Sequence, residues 1–371
     1  MKNTFGSSLS VTIFGESHGE AVGVVIDGLA PGIAIRQDKI EQALKKRRPS
    51  GKISTARVES DPVTFLSGIY NGKTTGAPLT VVIPNQNKKS EDYRELSDTP
   101  RPSHADYTAR MKYHGYQDPR GGGHFSGRVT APLVVAGAIL GSALEESLGI
   151  HIGTHIASIK GECDEPMRGT HEEIDALSHS AFPTLSPEAE GRMRAVIEDA
   201  AAQGDSVGGV LESAIVGVPV GVGEPFFDSV ESVLAHLLFS VGGVKGVEFG
   251  AGFALTTLYG SEANDPFRIK NGKIETSTNH SGGVQGGISN GMPILVRTAV
   301  KPTPSIYKEQ HSVSLSQMQE KTIALVGRHD PCIVHRAAAV VDAVLAIGIA
   351  DLLVTRYGTD VLREGIACST D

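Results

Sequence analysis

Two long apolar segments decide how this chain folds: TAPLVVAGAILGSALEESL at residues 130–148 and HRAAAVVDAVLAIGIADLLVTR at residues 335–356. Both are long enough for helices of several turns, and neither carries a broad polar stripe that could face water. A helix that is apolar on all sides is typical of a position inside a protein. The sequence therefore predicts two buried helices, one near the middle of the chain and one near its end.

Strand patterns precede these segments. At residues 9–13, Leu, Val and Ile alternate with Ser and Thr, which predicts a half-buried strand that runs into the loop at 15–19. Residues 63–70 and 79–83 are rich in Val, Ile and Leu, and the Asn-Gly pair at 71–72 predicts a hairpin-like turn between them. We therefore expect antiparallel strands in the first quarter of the chain.

Start signals predict three shorter helices. The spacings Asp38 to Glu41 and Asp228 to Glu231 are those of a capping box, whose side chains bond backbone N–H groups at a helix start. Ser186, followed by proline, predicts the start of a helix that ends before the glycine at 204.

The order of the elements indicates the fold class. Residues 207–222 add a further strand pattern, and strands and helices do not alternate as β-α-β units. A mixed α+β layered architecture is therefore favoured over a doubly wound parallel sheet. Because no Ser/Pro-rich linker, low-complexity tract or clear repeat divides the chain, we expect a single domain over residues 1–371.

Net charge and composition exclude several classes of protein. The formal net charge of −8 argues against a nucleic-acid or membrane-surface binder, which needs a dominant positive field. No signal peptide is predicted, and no segment is expected to supply the roughly 20 apolar residues of a membrane span. The cysteines Cys163, Cys332 and Cys368 form no CxxC pair, so a reducing compartment, the cytoplasm, is expected.

Histidine and arginine are concentrated in glycine-rich loops, where rigid scaffolds often present binding groups. The clusters lie at residues 15–19, 45–52, 101–106, 120–128 and 327–332. Guanidinium groups suit phosphate and carboxylate, because their N–H fork bonds two oxygens at once and stays charged. The candidates for binding a polyanionic small ligand are Arg47, Arg48, Arg101, Arg128 and Arg328. For Lys45 and Lys46 the ordinary interpretation is a solvated helix end.

His18, His104 and Asp330 are the candidates for chemistry, and each has a plain alternative. Histidine titrates near neutral pH, so His18 is suited to giving a proton to a leaving phosphate. Alternatively, both histidines are hydrogen-bonded loop residues and Asp330 caps the last helix. No P-loop, dinucleotide-binding glycine motif or HExxH motif is present, and the histidines lack ligand spacing, so no metal is predicted.

Ten segments along nearly the whole chain form one pattern. They are NTFGSSLSVTIFGESHG at 3–19, RRP at 47–49, TTGAPL at 74–79, RPSHADYT at 101–108, RGGG at 120–123, GDSVGG at 204–209, VKGVEFG at 244–250, GGVQGGISNG at 282–291, KPTPSI at 301–306 and GRHDPC at 327–332. On these segments, in this order, the chain resembles the chorismate synthase family. The combination of GESHG, RPSHAD and GRHDPC makes the resemblance specific.

The resemblance implies a fold and a reaction. A layer of helices would lie between antiparallel sheets, as a β-α-β sandwich, in a homotetramer with one flavin site per subunit. The substrate would be 5-enolpyruvylshikimate 3-phosphate, which loses phosphate in an anti-1,4-elimination to give chorismate. Reduced FMN would lend an electron and recover it, with no net redox change. NADPH is a candidate source of electrons.

Residue roles also follow from the resemblance. The substrate phosphate and carboxylates would be held by Arg48, Arg101, Arg128 and Arg328. FMN would be held by His124, Phe125, Ser126, Gly242, Gly243, Gly286, Lys301, Pro302, Thr303, Pro304, Ser305 and Arg328. His18 matches the proton donor to the departing phosphate, and His104 matches a histidine beside the flavin. Asp330 matches a residue that assists deprotonation at flavin N5, and Arg47 matches a position associated with NADPH.

Two segments depart from the family pattern. Residues 124–130 read HFSGRVT where the family commonly has RSSARET, so Arg128 is kept while another Arg and a Glu are absent. Val-Gly-Gly at 241–243 stands where Ile-Pro-Ala is usual. At 241–243 the departure favours backbone contacts to FMN over side-chain contacts.

Two other functions stay open on the residues alone. A nicotinamide-linked flavin reductase would use Arg47, although the chain has no dinucleotide fingerprint. A non-catalytic phosphate- or nucleic-acid-binding protein would be built around residues 45–52, and its binding to nucleic acid would fall steeply with salt.

Overall fold

Antiparallel strands and helices make up the fold. In the computed structural model, the described residues are 2–49, 53–54, 61–86, 98–325 and 329–366. The strands are β1 Thr4–Phe5, β2 Ser10–Gly15, β3 Ala21–Asp27, β4 Thr64–Ser67, β5 Ile69–Tyr70, β6 Lys73–Thr74, β7 Leu79–Pro84, β8 His151–Ile159, β9 Glu162–Cys163, β10 Gly209–Val216, β11 Val244–Phe249, β12 Phe267–Lys270, β13 Lys273–Thr276, β14 Val284–Gln285, β15 Ile288–Ser289, β16 Ile294–Val300, β17 Gln310–Ser314 and β18 Gln319–Ile323. The helices are α1 Gln37–Arg47, α2 Asp106–Lys112, α3 Thr130–Leu148, α4 His171–Ser178, α5 Pro187–Ala202, α6 Val230–Ser240, α7 Gly260–Ala263, α8 Val334–Tyr357 and α9 Val361–Glu364.

Ten of the eighteen described strands form two five-stranded sheets, and the other eight form four two-stranded sheets. The strand order is β1-β2-β3-β7-β4 in the first sheet and β11-β16-β10-β8-β9 in the second. In the first sheet, Thr12 lies opposite Val25. In the second, Ser213 lies between Val296 and Thr154 of its two neighbours. Each pairing in these sheets is antiparallel, so each sheet can bury one face.

Helices α3 and α8 pack along each other between the two sheets. Helix α3 also contacts β2, β3 and β7 of the first sheet, and α8 contacts β8 and β10 of the second. Most of α8 is buried, as expected for a helix that is apolar on all sides. The predicted α+β fold, with a helical layer between antiparallel sheets, is therefore confirmed.

Two predicted helix caps are wrong, although both helices are present. Helix α1 begins after Arg36, which makes no side-chain cap bond, and Asp38 pairs with Arg36 instead, with Nε and Oδ1 3.4 Å apart. Helix α6 is capped by Ser229, whose hydroxyl accepts from the backbone N–H of Ser232 at 3.0 Å. Asp228 precedes that cap by one residue, because the serine hydroxyl takes the acceptor position.

The expectation that no segment is apolar enough to cross a membrane is wrong by length and composition. The segments Gly127–Leu148 and Val334–Tyr357 both pass that test. Most of each lies buried inside the fold, and the core helices of soluble proteins have the same composition. These two helices are therefore weak evidence for a membrane span.

Small residues allow α3 and α8 to approach closely. A Cβ built on Gly137 of α3 would lie 2.3 Å from both Cα and Cβ of Ala343 on α8. About one turn further along, a Cβ on Gly141 would lie 3.7 Å from Cβ of Ala346, which is an ordinary contact. The crossing therefore has space for a methyl group at 141 and none at 137.

We expect Gly137→Ala to lower the free energy of unfolding by about 1–3 kcal/mol, because the added methyl group must push the two helices apart. Gly141→Ala is the matched control, expected to be neutral or to stabilise by up to about 1 kcal/mol through helix propensity. Urea unfolding followed by circular dichroism measures both variants. Equal effects of the two substitutions would contradict the close crossing.

Candidate active site

A cavity of about 850 Å³ lies at the N-terminal ends of α3 and α8. Its volume is in the range of small-molecule and cofactor sites. The apolar residues that line it include Phe5, Val11, Ile13, Leu133, Leu237 and Val340. The titratable residues that line it include Arg47, His104, His124, Arg128, Lys301, Asp330 and Arg336. The cavity thus offers both apolar surface and several cations to a ligand.

Three consecutive glycines fold the 120–125 segment over His18. Gly121 has a φ of +60°, and a Cβ there would lie 2.2 Å from the His18 ring, so only glycine fits. Ser17 joins the two segments, because its N–H donates to the Gly123 carbonyl at 3.1 Å and its hydroxyl lies 3.1 Å from His18 Nδ1. His18 is therefore buried and held against this turn.

Asp106 fixes the side chain of His104. Oδ1 of Asp106 lies 2.7 Å from Nδ1 of His104. The carboxylate also accepts two bonds from the Arg101 guanidinium, at 2.7 and 2.8 Å, and one from the Arg101 backbone N–H at 3.0 Å. Burial by itself would raise the pKa of Asp106, but the hydrogen bonds from Arg101 and His104 outweigh it and lower that pKa. The carboxylate is therefore ionised near neutral pH. Nδ1 of His104 donates to it, and Nε2 is the nitrogen left to exchange a proton.

Asp61 binds three arginines from two distant parts of the chain. Oδ2 accepts from Arg47 Nη2 at 3.1 Å and from Arg48 Nε at 3.3 Å, and Oδ1 accepts from Arg128 Nη1. Burial by itself would raise the pKa of Asp61, but the charge of Arg47 and the bond from Arg128 lower it. Arg128 also donates from Nε to Asn85 Oδ1 at 2.9 Å. The cluster thus orders guanidinium groups at the cavity wall.

Two more cations of the cavity are bonded to the protein. Arg336 donates to Asp330 Oδ2 at 2.5 Å and to the carbonyl of Arg47 at 2.9 Å, which ties the start of α8 to the end of α1. Lys301 Nζ donates to the carbonyl of Ser103 at 2.6 Å. Burial lowers the pKa of Lys301, and the charge of Lys245 lowers it further by a smaller amount. These bonds hold the cationic groups in place.

Known proteins match this chain over nearly its whole length. A model of the family described as chorismate synthase matches residues 9–354. The chorismate synthases of Thermococcus gammatolerans and Pyrococcus abyssi are 46% identical over 352 residues and 48% identical over 351 residues; each match covers 95% of this chain and 97% of the relative. A crystal structure of chorismate synthase superposes with a TM-score of 0.76 at 27% identity, covering 97% of this chain and 96% of that one. The chain belongs to the chorismate synthase family.

Chorismate synthases are lyases, so the chain is an enzyme, and most of the predicted site residues line its cavity. Those residues are Arg47, His104, His124, Phe125, Ser126, Arg128, Gly242, Gly243, Lys301, Pro302, Thr303, Pro304, Ser305 and Asp330. They come from segments that are far apart in the sequence, and the fold brings them together around one volume.

The other predicted positions lie elsewhere. Arg48 and Arg101 are not among the described residues that line the cavity. Arg48 bonds to Asp61, and Arg101 bonds to Asp106. His18 lies behind the glycine turn, and Gly286 lies in the turn between β14 and β15; neither is among the described residues that line the cavity. Arg328 lies outside the described residues.

The interpretation without a role in chemistry or binding fits Lys45 but not Asp330 or Lys46. Asp330 does not cap α8, because the cap position is Ile333 and Asp330 bonds to Arg336. Lys45 is exposed, as expected for a solvated helix end. For Lys46 the prediction of a solvated helix end is wrong. Its Nζ donates to the carbonyl of Leu177 at 3.2 Å, and burial lowers its pKa.

Four residues of the site were not predicted: Asp61, Asn85, Asp106 and Arg336. Asp106 lies within the RPSHAD motif, so its position two residues after His104 was an available signal. Arg336 is a cation at the start of an apolar helix, which was a weaker signal. No local pattern marks Asp61 or Asn85, because their partner Arg128 is remote in sequence.

We expect Asp106→Asn to lower the free energy of unfolding at pH 7, because it removes the carboxylate bonded to Arg101 and His104. The pKa of Asp106 is lowered on folding, so its stabilisation is present above the ordinary carboxyl pKa of 3.8 and is lost as the pH falls below it. The difference between variant and unmodified protein should therefore shrink below about pH 4. Urea unfolding across this pH range measures it.

Asp38→Asn is the matched control, because it removes a carboxylate that bonds an arginine on an exposed helix start. We expect a smaller loss from it. A difference between Asp106→Asn and the unmodified protein that stays constant down to strongly acid pH would contradict an ionised Asp106.

Proposed function

We propose that this chain uses reduced FMN to eliminate phosphate from 5-enolpyruvylshikimate 3-phosphate and form chorismate, as a step of the shikimate pathway of aromatic amino acid biosynthesis. The observation that carries the proposal is the convergence of remote cationic and proton-exchanging residues on one cavity. A ligand with several negative charges needs fixed cations, and a flavin ring needs apolar surface. The cavity offers both.

The residues present fit FMN. Thr303 Oγ1 is buried and has no hydrogen-bond partner within the described part of the chain, although Thr303 lines the cavity. A Cβ on Gly242 would meet nothing within 4 Å among the described atoms, so the backbone there is open to a ligand. The segment at 301–305, the segment at 124–126 and Gly243 would hold the cofactor. When bound, reduced FMN would supply an electron that helps to expel phosphate and is recovered as hydrogen leaves carbon.

The arginines would hold the substrate anions. Arg128 lines the cavity and is fixed by Asp61 and Asn85, so its guanidinium is oriented before the substrate binds. Arg48 adds charge to the same cluster, and Arg101 acts through its bonds to Asp106 and Ser305. Arg328 is proposed here from the family pattern alone.

Histidine and aspartate would move protons. His104 has Nδ1 fixed by Asp106, which leaves Nε2 available toward a ligand. Asp330 lines the cavity beside Arg336 and would accept a proton during the reaction. His18 would protonate the departing phosphate, and this role requires the phosphate to reach the side of the glycine turn where His18 lies.

We also propose a cytoplasmic homotetramer. Large apolar side chains are exposed on the described surface, including Phe226 at 85% and Phe227 at 91%. Exposure of this kind is typical of a protein–protein interface. Gly286 belongs to the hairpin next to these residues, where the Gly287 carbonyl accepts from Val230 N–H at 3.0 Å. A role for Gly286 in FMN binding would therefore involve the cavity of a neighbouring subunit.

The two alternative functions have less support. Arg47 and Arg48 bond to Asp61 and do not form an exposed basic surface, which argues against a nucleic-acid binder built around residues 45–52. Reduction of the flavin by NADPH would need Arg47 to contact the nucleotide from within this cluster. NADPH stays a proposed electron source.

We expect anaerobic incubation with reduced FMN and 5-enolpyruvylshikimate 3-phosphate to release phosphate and chorismate in equal amounts. Chorismate absorbance and a phosphate assay measure the two products. Folded protein that yields neither product would reject the proposal. In a parallel reaction, NADPH replaces the chemical reductant; no flavin reduction there means that the enzyme depends on an external electron source.

We expect His104→Ala to lower kcat by about 10²-fold or more, the usual effect of losing one positioned proton-transfer group. His311→Ala is the matched control, because His311 is exposed on β17 and is not among the described cavity residues. Steady-state kinetics and thermal unfolding are measured for both variants. Unfolding of the His104 variant alone would favour the interpretation of His104 as a structural loop residue.

A further inference from the structure

Asp61 is a buried carboxylate behind the cavity wall. Its side chain is 1% exposed, and it accepts bonds from Arg47, Arg48 and Arg128, whose side chains are 4%, 29% and 11% exposed. Arg47 and Arg128 line the cavity, whereas Asp61 is not among the described lining residues. Each of these two arginines therefore has Asp61 on one side and the cavity on the other.

Within the described part of the chain, three arginines share the carboxylate of Asp61. Arginine stays protonated, and the pKa of Asp61 is lowered, so all four groups are charged near neutral pH. Electrostatic interactions are stronger in a buried site than in water. The charge of Asp61 therefore has a large influence on how strongly an anion in the cavity is bound.

Arg128 has other partners that would hold it without Asp61. Its Nε donates to Asn85 at 2.9 Å, and its Nη2 donates to the Pro84 carbonyl at 3.2 Å. Arg47 Nη1 also lies 3.5 Å from the Gly127 carbonyl. Replacing the Asp61 carboxylate by a neutral amide should therefore change the charge at the wall more than the positions of these arginines.

We propose that Asp61 is an internal counter-ion that stabilises the arginines in the empty site and weakens their hold on phosphate, so that the phosphate product can leave. The inference rests on the proposed function, in which inorganic phosphate is a product. Loss of the Asp61 charge would remove negative charge from beside these arginines, and a bound phosphate would supply negative charge in its place. Asp61 is thus a positioning residue that sets the affinity for the leaving anion.

The test is Asp61→Asn with inorganic phosphate as the probe. We expect phosphate to bind the variant about tenfold more tightly or better than the unmodified protein, a change of about 1.4 kcal/mol in binding free energy. We also expect the variant to melt at a lower temperature in chloride and to recover in phosphate at equal ionic strength. Isothermal calorimetry and thermal unfolding measure these effects, and turnover assays should show stronger product inhibition by phosphate.

Asp61→Glu keeps the charge and is expected to bind phosphate much as the unmodified protein does. Asp351→Asn is the matched control for loss of a buried carboxylate, because Asp351 accepts only from backbone N–H groups in the described contacts, those of Ser7, Ser8 and Leu9. We expect it to lower the melting temperature with no specific recovery in phosphate.

Several results would overturn the inference. Phosphate affinity of Asp61→Asn that equals or falls below that of the unmodified protein would do so, as would equal recovery of the Asp61 and Asp351 variants in phosphate. If Asp61→Asn is insoluble in chloride, recovery of soluble protein in phosphate supports the inference. Insolubility in both salts, with Asp61→Glu soluble in both, rejects it.

Failure of the proposed function would look different. Phosphate binding needs neither FMN nor turnover. If the protein forms no chorismate but Asp61→Asn binds phosphate more tightly, the counter-ion role of Asp61 is supported and the proposed reaction is rejected. If the protein forms chorismate but the variant binds phosphate no more tightly, the proposed reaction is supported and the counter-ion role of Asp61 is rejected.

Discussion

The close packing of α3 against α8 fixes the geometry of the cavity. Helix α3 begins just after Arg128, and α8 begins between Asp330 and Arg336, so each helix carries cavity residues at its first turn. The contact between Gly137 and Ala343 sets how near the two helices lie. Because protein cores are close-packed and transmit strain, a change at this crossing would also change the distances between groups on the cavity wall. The N-terminal ends of both helices add partial positive charge there.

Positive charge is concentrated in this cavity although the protein as a whole is acidic. A buried cation is costly without a partner, and among the described residues three carboxylates supply such pairing: Asp61, Asp106 and Asp330 each bond to at least one arginine. The bonds also fix the direction of each guanidinium or imidazole group. The site therefore has its cations oriented without a ligand, which reduces the ordering cost that an anionic ligand must overcome.

The parts of the structure that were predictable are those that local sequence encodes. Burial on all faces determines the composition of α3 and α8, so both could be predicted. The alternation at β2 and the Asn-Gly turn before β6 are local as well. Asp61 could not be found in this way, because its importance comes from Arg128, which is 67 residues away and is brought near only by the fold. Family resemblance predicted many of the cavity residues, and Asp330 among the carboxylates, without predicting Asp61 or Asp106.

The segment at 124–130 departs from the family pattern and carries one arginine fewer. His124 stands where the family commonly has arginine, and its Nδ1 lies 2.8 Å from the Gly15 carbonyl. A carbonyl only accepts, so Nδ1 carries the proton and donates it. This bond holds the His124 ring against the loop that contains His18. An arginine at this position would instead add a permanent charge to the wall. With that charge absent, the proposed binding of anions would depend more on the arginines around Asp61, and the proposed influence of this carboxylate would be correspondingly larger.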